Sequence, residues 1–208
     1  MTLIKPGAPP VVLASGSAIR HSLLANAGIP VTVDPGAVDE DEVKRAMRAD
    51  GAPAPAVAET LAEMKAMRVT RRHPGALVFG ADQMLDCNGV WFDKPADRAH
   101  AAAHLAALSG RTHRLLSAVV CVRDGARIWH HVGMANLTMR PLSPSFIETY
   151  LDTVGPKALQ SVGAYQLEGL GAHLFSRIDG DYFTILGLPL LALLAFLRGH
   201  GVIAGDGP

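Results

Sequence analysis

The 208-residue chain carries 19 basic and 19 acidic side chains, a formal net charge of zero, and 49% hydrophobic against 18% charged residues. It has neither the basic stripe that duplex binding requires nor the polar excess of a disordered chain, so a nucleic-acid partner and an unfolded tail are both disfavoured. The length suits one domain spanning residues 1–208, or two small lobes sharing a core.

In chain order, residues 11–14 (Val-Val-Leu-Ala) read as a short buried strand. The turn Ser15-Gly16-Ser17 then caps a helix whose Ile19, Leu23, Leu24 and Ala27 share one face until Gly28 ends it. The acidic run Asp39-Glu40-Asp41-Glu42 reads as a solvated turn after a short strand, one member of which is available to a metal. Pro53 and Pro55 introduce a second helix with an apolar stripe of Val57, Leu61 and Met64. Lys65, Arg68, Arg71 and Arg72 load its C-terminal end, and Pro74-Gly75 stops it. Residues 77–81 predict a buried strand, and Asn88-Gly89 between two apolar runs predicts a hairpin. Asp97 caps the next expected helix, and residues 111–122 and 126–139 form the arms of a second hairpin around Asp124-Gly125. A helix over 143–153, a strand over 173–178 and an apolar helix over 188–198 complete the pattern. Strands alternating with helices indicate a mixed α/β class, and the two hairpins argue against a purely parallel sheet.

Cys87 and Cys121 stand far apart and fit neither a disulfide framework nor a four-ligand zinc site, which implies a reduced, cytoplasmic setting. The longest apolar run, residues 185–197, is broken by Pro189 and falls short of the ~20 residues a bilayer needs. The first residues lack the continuous apolar stretch of a signal peptide. No membrane partner is expected.

The Ser15-Gly16-Ser17 turn, with Arg20 one turn into the helix, offers backbone N–H groups, two hydroxyls and a fixed cation. It is either an anion site or an ordinary helix cap, and it lacks the Lys-Ser/Thr pair of a Walker A loop. Asp82 follows the strand 77–81, so its carboxylate is expected just beyond a strand's C-terminal end, where open α/β sheets hold their ligands. Lys94, before Pro95, is either a phosphate partner for that carboxylate or a solvated hairpin charge. The nine histidines form no ligand pair: His100 and His104 lack the glutamate of H-E-x-x-H, and no G-x-S-x-G elbow is present. Phosphate chemistry is what remains.

These segments together resemble the Maf family of nucleoside triphosphate pyrophosphatases, once described as septum-formation inhibitors. Leu13-Ala14-Ser15-Gly16-Ser17-Ala18-Ile19-Arg20 is similar to the family's L-A-S-x-S-P-R-R, followed by its double leucine at Leu23-Leu24 and a glycine at Gly28. Asp39-Glu40 resembles the D-E pair, Leu61-Ala62 with Lys65-Ala66 the L-A-x-x-K-A, and Gly80-Ala81-Asp82 with Lys94-Pro95 the G-A-D and K-P. Leu108-Ser109-Gly110-Arg111 with His113 matches L-S-G-R-x-H, and Gly187-Leu188-Pro189 the terminal G-L-P.

The resemblance implies an α/β fold, a curved mixed β-sheet with flanking helices in two lobes around a central cleft. It implies hydrolysis of a nucleoside triphosphate between the α and β phosphates, helped by a divalent metal cation, Mg2+ or Mn2+. On that reading Asp82 is the proton acceptor and Glu40 joins it at the metal. Ser15, Ser17, Arg20, Lys65 and Lys94 bind the phosphates. The resemblance is compatible with a homodimer.

Two departures stand out. Ala18 and Ile19 replace the family's proline and first arginine, which puts more of the phosphate grip on Arg20, Lys65 and Lys94. At the positions that divide the family by substrate, Gln83 and Glu168 resemble the branch acting on 7-methyl-GTP, whereas Ile19 stands where that branch typically carries tryptophan. A dTTP/UTP pyrophosphatase, and a nucleotide-binding regulator of cell division with incidental turnover, are the alternatives.

Overall fold

The computed structural model describes residues 3–205. Seven strands, β1 (Val11–Leu13), β2 (Thr32–Val33), β3 (Leu77–Cys87), β4 (Val90–Phe92), β5 (Thr112–Arg123), β6 (Ala126–Met139) and β7 (Phe175–Asp179), form one sheet in the order β2-β1-β3-β5-β6-β7, with β4 paired to β3. β1 runs parallel to β2 and β3, whereas β3/β4 and β6/β7 are antiparallel, which is the mixed α/β class expected. The helices are α1 (Ala18–Asn26), α2 (Glu40–Ala49), α3 (Ala54–Thr70), α4 (Arg98–Leu108), α5 (Pro144–Val154), α6 (Tyr182–Ile185) and α7 (Leu190–Gly199). Among the described residues no helix is long and apolar enough to cross a membrane.

The chain divides into two compact units. The first comprises the described parts of Met1–Asp82, Ser117–Gly133 and Gly187–Pro208; the second comprises Gln83–Leu116 and Met134–Leu186. In the first unit, β1 lies in parallel register with the start of β3, Val11 opposite Leu77 and Leu13 opposite Phe79. α3 turns Val57, Ala58, Leu61, Ala62, Ala66 and Val69 inward, all fully buried. So many alanines keep the helix surface flat, and the strand answers at the point of closest approach with a glycine. A Cβ on Gly80 would stand 1.9 Å from the Ala62 carbonyl oxygen and 2.9 Å from the Ala66 nitrogen. Because side chains alternate along a strand, the same face of β3 presents Asp82 two residues later. α7 closes the unit through Phe196, which meets Phe79 edge-on at 5.9 Å and stacks on Trp129 at 4.7 Å.

The second unit has its own core. Ala101, Leu105 and Leu108 of α4 gather there with Ile147, Tyr150 and Leu151 of α5 and with Leu85, Leu115 and Leu137 of the strands. Both expected hairpins form on two-residue turns, with Asn88 and Gly89 at φ 53° and 83° and Asp124 and Gly125 at 49° and 83°, the left-handed pairs that match strand twist.

Four expectations are corrected. The acidic run is not a solvated turn: Asp39 caps α2 by accepting from the Glu42 N–H, and Glu40, Asp41 and Glu42 form its first turn, where the helix dipole favours negative charge. β3 does not stop at Ala81 but continues to Cys87, so Asp82 lies within a strand rather than beyond its end. His173 belongs to a 3-10 turn, Leu170–Leu174, and the last strand starts at Phe175. Lys65 does not join the basic end of α3, where Arg68, Arg71 and Arg72 are exposed; it is buried.

Candidate active site

Asp82, Lys65 and Glu40 meet within the first unit. The Lys65 Nζ lies 2.6 Å from Asp82 Oδ1 and 2.6 Å from Glu40 Oε1, and Glu40 Oε2 lies 3.8 Å from the Lys44 Nζ one turn along α2. Gly80 sets this meeting by letting α3 close on β3, and Gly36 sets it again, since a Cβ there would stand 2.3 Å from the Lys65 carbonyl oxygen. The side chains of Lys65 and Asp82 are 10% and 6% exposed, that of Glu40 41%, so one carboxylate is sealed and the other faces water. Burial raises the Asp82 pKa above the ordinary carboxylate value, against the opposing pull of Lys65 and Arg20. Its Oδ2 is buried with no hydrogen-bond partner. A sealed carboxylate with one oxygen held and the other unpartnered is suited to accepting a proton or a cation.

Arg20 belongs to the same unit. Its Nε donates to the Gly187 carbonyl at 2.8 Å, and its Nη1 donates to Ser15 Oγ at 2.9 Å and the Ala81 carbonyl at 3.0 Å. Burial lowers its pKa while Asp82 and Glu40 oppose the shift; a guanidinium starting so high stays charged. Ser17 is the α1 cap, its Oγ accepting from the Arg20 N–H, and Ser15 Oγ also accepts from the Ser17 N–H. The Ser15-Gly16-Ser17 turn is therefore a helix cap that also orders a cation beside Asp82. Ile19 is half-buried in the first turn of α1.

The remaining candidates lie in the second unit. Gln83 donates through Nε2 to the Ile185 carbonyl at 3.0 Å and the Thr184 carbonyl at 3.3 Å. Lys94 is exposed just after β4, and Glu168 is exposed in a turn between two 3-10 segments. The chain leading into that turn is anchored by two buried tyrosines: Tyr165 Oη lies 2.7 Å from His113 Nε2, and Tyr150 Oη donates to the Ala164 carbonyl. Burial lowers the His113 pKa to about 4 and raises that of Tyr165, so the pair stays neutral near pH 7. The structure thus groups Ser15, Ser17, Arg20, Glu40, Lys65 and Asp82 in one unit and Gln83, Lys94 and Glu168 in the other.

Sequence reasoning misses the Ala81 and Gly187 carbonyls that fix Arg20, because backbone acceptors leave no side-chain signature. It also misses the spacing roles of Gly36 and Gly80. The glycine ahead of a buried aspartate is the available signal for the second of these.

A profile of Maf-like proteins matches residues 10–200. The chain is similar to a nucleoside triphosphate pyrophosphatase of Paramagnetospirillum magneticum, 62% identical over 190 residues, which cover 91% of this chain and 98% of that protein. A nucleoside triphosphate pyrophosphatase of Granulibacter bethesdensis is 52% identical over 190 residues, 91% of this chain and 96% of that protein. A 7-methyl-GTP pyrophosphatase of Mesorhizobium japonicum is 54% identical over 195 residues, 94% of this chain and 98% of that protein.

Proposed function

Because the chain belongs to the Maf-like protein family and is a nucleoside triphosphate pyrophosphatase, we propose that Asp82 is the proton acceptor for the water that attacks the α-phosphorus. The water oxygen forms a bond to that phosphorus while the bond to the bridging oxygen breaks. Pyrophosphate leaves with the electron pair, and the water's proton passes to Asp82. The observation that carries this reading is the buried carboxylate with an unpartnered Oδ2 and a pKa raised by burial. Arg20 and Lys65 supply positive charge to the phosphate oxygens, and the Ser15 and Ser17 turn supplies hydrogen-bond donors.

Glu40 and Asp82 fit a divalent cation. Their oxygens already converge on one positive charge, and among the described residues no group of three or more histidine, cysteine or acidic side chains is placed to hold a metal, so phosphates and water would complete the coordination. Such an ion would neutralise charge on the phosphates when bound. The chain's own residues hold the carboxylates, orient Arg20 and remove the proton.

For the base we propose a guanine-type triphosphate, 7-methyl-GTP, read by Gln83 and Glu168. The 54% identity to a 7-methyl-GTP pyrophosphatase supports this reading. Glu168→Gln replaces an acceptor oxygen by a donor and is expected to lower kcat/KM for 7-methyl-GTP and GTP by the equivalent of about 1–3 kcal/mol, with much less change for UTP and dTTP. Assaying the four triphosphates with Mg2+ or Mn2+ and separating the products by anion exchange tests both levels. Equal scaling of all four removes Glu168 from base recognition, and diphosphate with orthophosphate as products overturns the reaction.

A further inference from the structure

We infer that Lys65 stands in for the divalent ion in the nucleotide-free enzyme, bridging Glu40 and Asp82 and yielding Glu40 only when triphosphate oxygens arrive to take over its ammonium. The inference deepens the proposed pyrophosphatase site and rests on that reading. One nitrogen lies 2.6 Å from an oxygen of each carboxylate, so a cation joining the same two oxygens would have to enter the space the ammonium holds. Two positive charges in that space repel, and the buried stem of Lys65 gives its head little room to retreat into water.

The two carboxylates are unequal. Asp82 is sealed on β3, with Oδ1 on Lys65 and Oδ2 buried without a partner, whereas the Glu40 side chain is 41% exposed at the start of α2. Glu40 is therefore the partner that can turn away, and Asp82 is the fixed half of the site. Lys65 keeps the carboxylates from repelling one another until the substrate brings both its own negative charge and the ion. Metal binding and nucleotide binding are coupled as a consequence.

Mn2+ titration of the full chain without nucleotide, read from the electron paramagnetic resonance signal of free Mn2+, tests the inference. Wild type is expected to bind Mn2+ weakly, and Lys65→Met at least about tenfold more tightly, because the competing charge is gone. Lys65→Gln carries the same expectation while its amide still donates to the carboxylates and supports the fold. Adding Glu40→Gln to either variant is expected to remove the gain. Unchanged or weaker Mn2+ affinity in both lysine variants would overturn the inference, as would wild type binding Mn2+ as tightly as they do. No turnover is read, so failure of the hydrolase reading would appear in the product analysis and not in these affinities.

Discussion

Asp82→Asn is expected to lower kcat by about two to four powers of ten while the protein still folds and binds triphosphate, the range for removal of a general base. The asparagine keeps the shape that β3 and α3 enclose but cannot take a proton. The pH dependence follows from the direction of the shift. Burial raises the Asp82 pKa in the folded chain, so its carboxylate form is lost as pH falls through a value above the ordinary carboxylate range, and with Asp82 as the base the acid limb of kcat/KM is expected there in wild type. The stability sign is opposite to that of a carboxylate with a depressed pKa: the favourable contribution is complete below the unfolded-state value and is lost as pH rises through the folded-state value. Asp82→Asn is therefore expected to melt at or above the wild-type temperature near pH 7, and the difference is expected to close as pH falls below the unfolded-state pKa. Near-wild-type turnover in the folded variant would remove Asp82 from the proton transfer.

Gly80→Ala is expected to destabilise the chain by about 3 kcal/mol or more, a fall of about 10 °C in melting temperature for a protein of this size. An alanine would ordinarily gain stability in a strand through lower backbone entropy in the unfolded chain. Here its Cβ would stand 1.9 Å from the Ala62 carbonyl oxygen, and backbone cannot rotate away as a side-chain end can. α3 must shift outward, and it carries Lys65 with it. Thermal melts and kcat measured on the same preparation check both halves, and a melting temperature within about 2 °C of wild type would show that α3 yields without cost.

The elements legible in the sequence are those specified by neighbours a few residues apart. Asn88-Gly89 and Asp124-Gly125 dictate their turns locally, and Asp97 and Ser143 cap α4 and α5 through residues three positions on. α2 is hard to read as a helix because none of its residues is fully buried and its apolar stripe is reduced to the half-buried Val43 and Met47; its clearest signal is the cap and the acidic first turn. Asp82 reads as lying beyond the strand because a charge interrupts an apolar run. Lys65 answers that charge from α3, and the strand continues. The family motifs carry the identities of Glu40, Lys65 and Asp82 but not their three-way contact. That contact depends on the approach of α3 that Gly80 and Gly36 permit.

Hydrolysis of the preferred triphosphate in 18O-labelled water tests most directly whether this site directs water to the α-phosphorus. Mass spectrometry of the products is expected to find the label in the nucleoside monophosphate and none in the pyrophosphate. Label in the pyrophosphate would place the attack on the β-phosphorus and contradict the assignment.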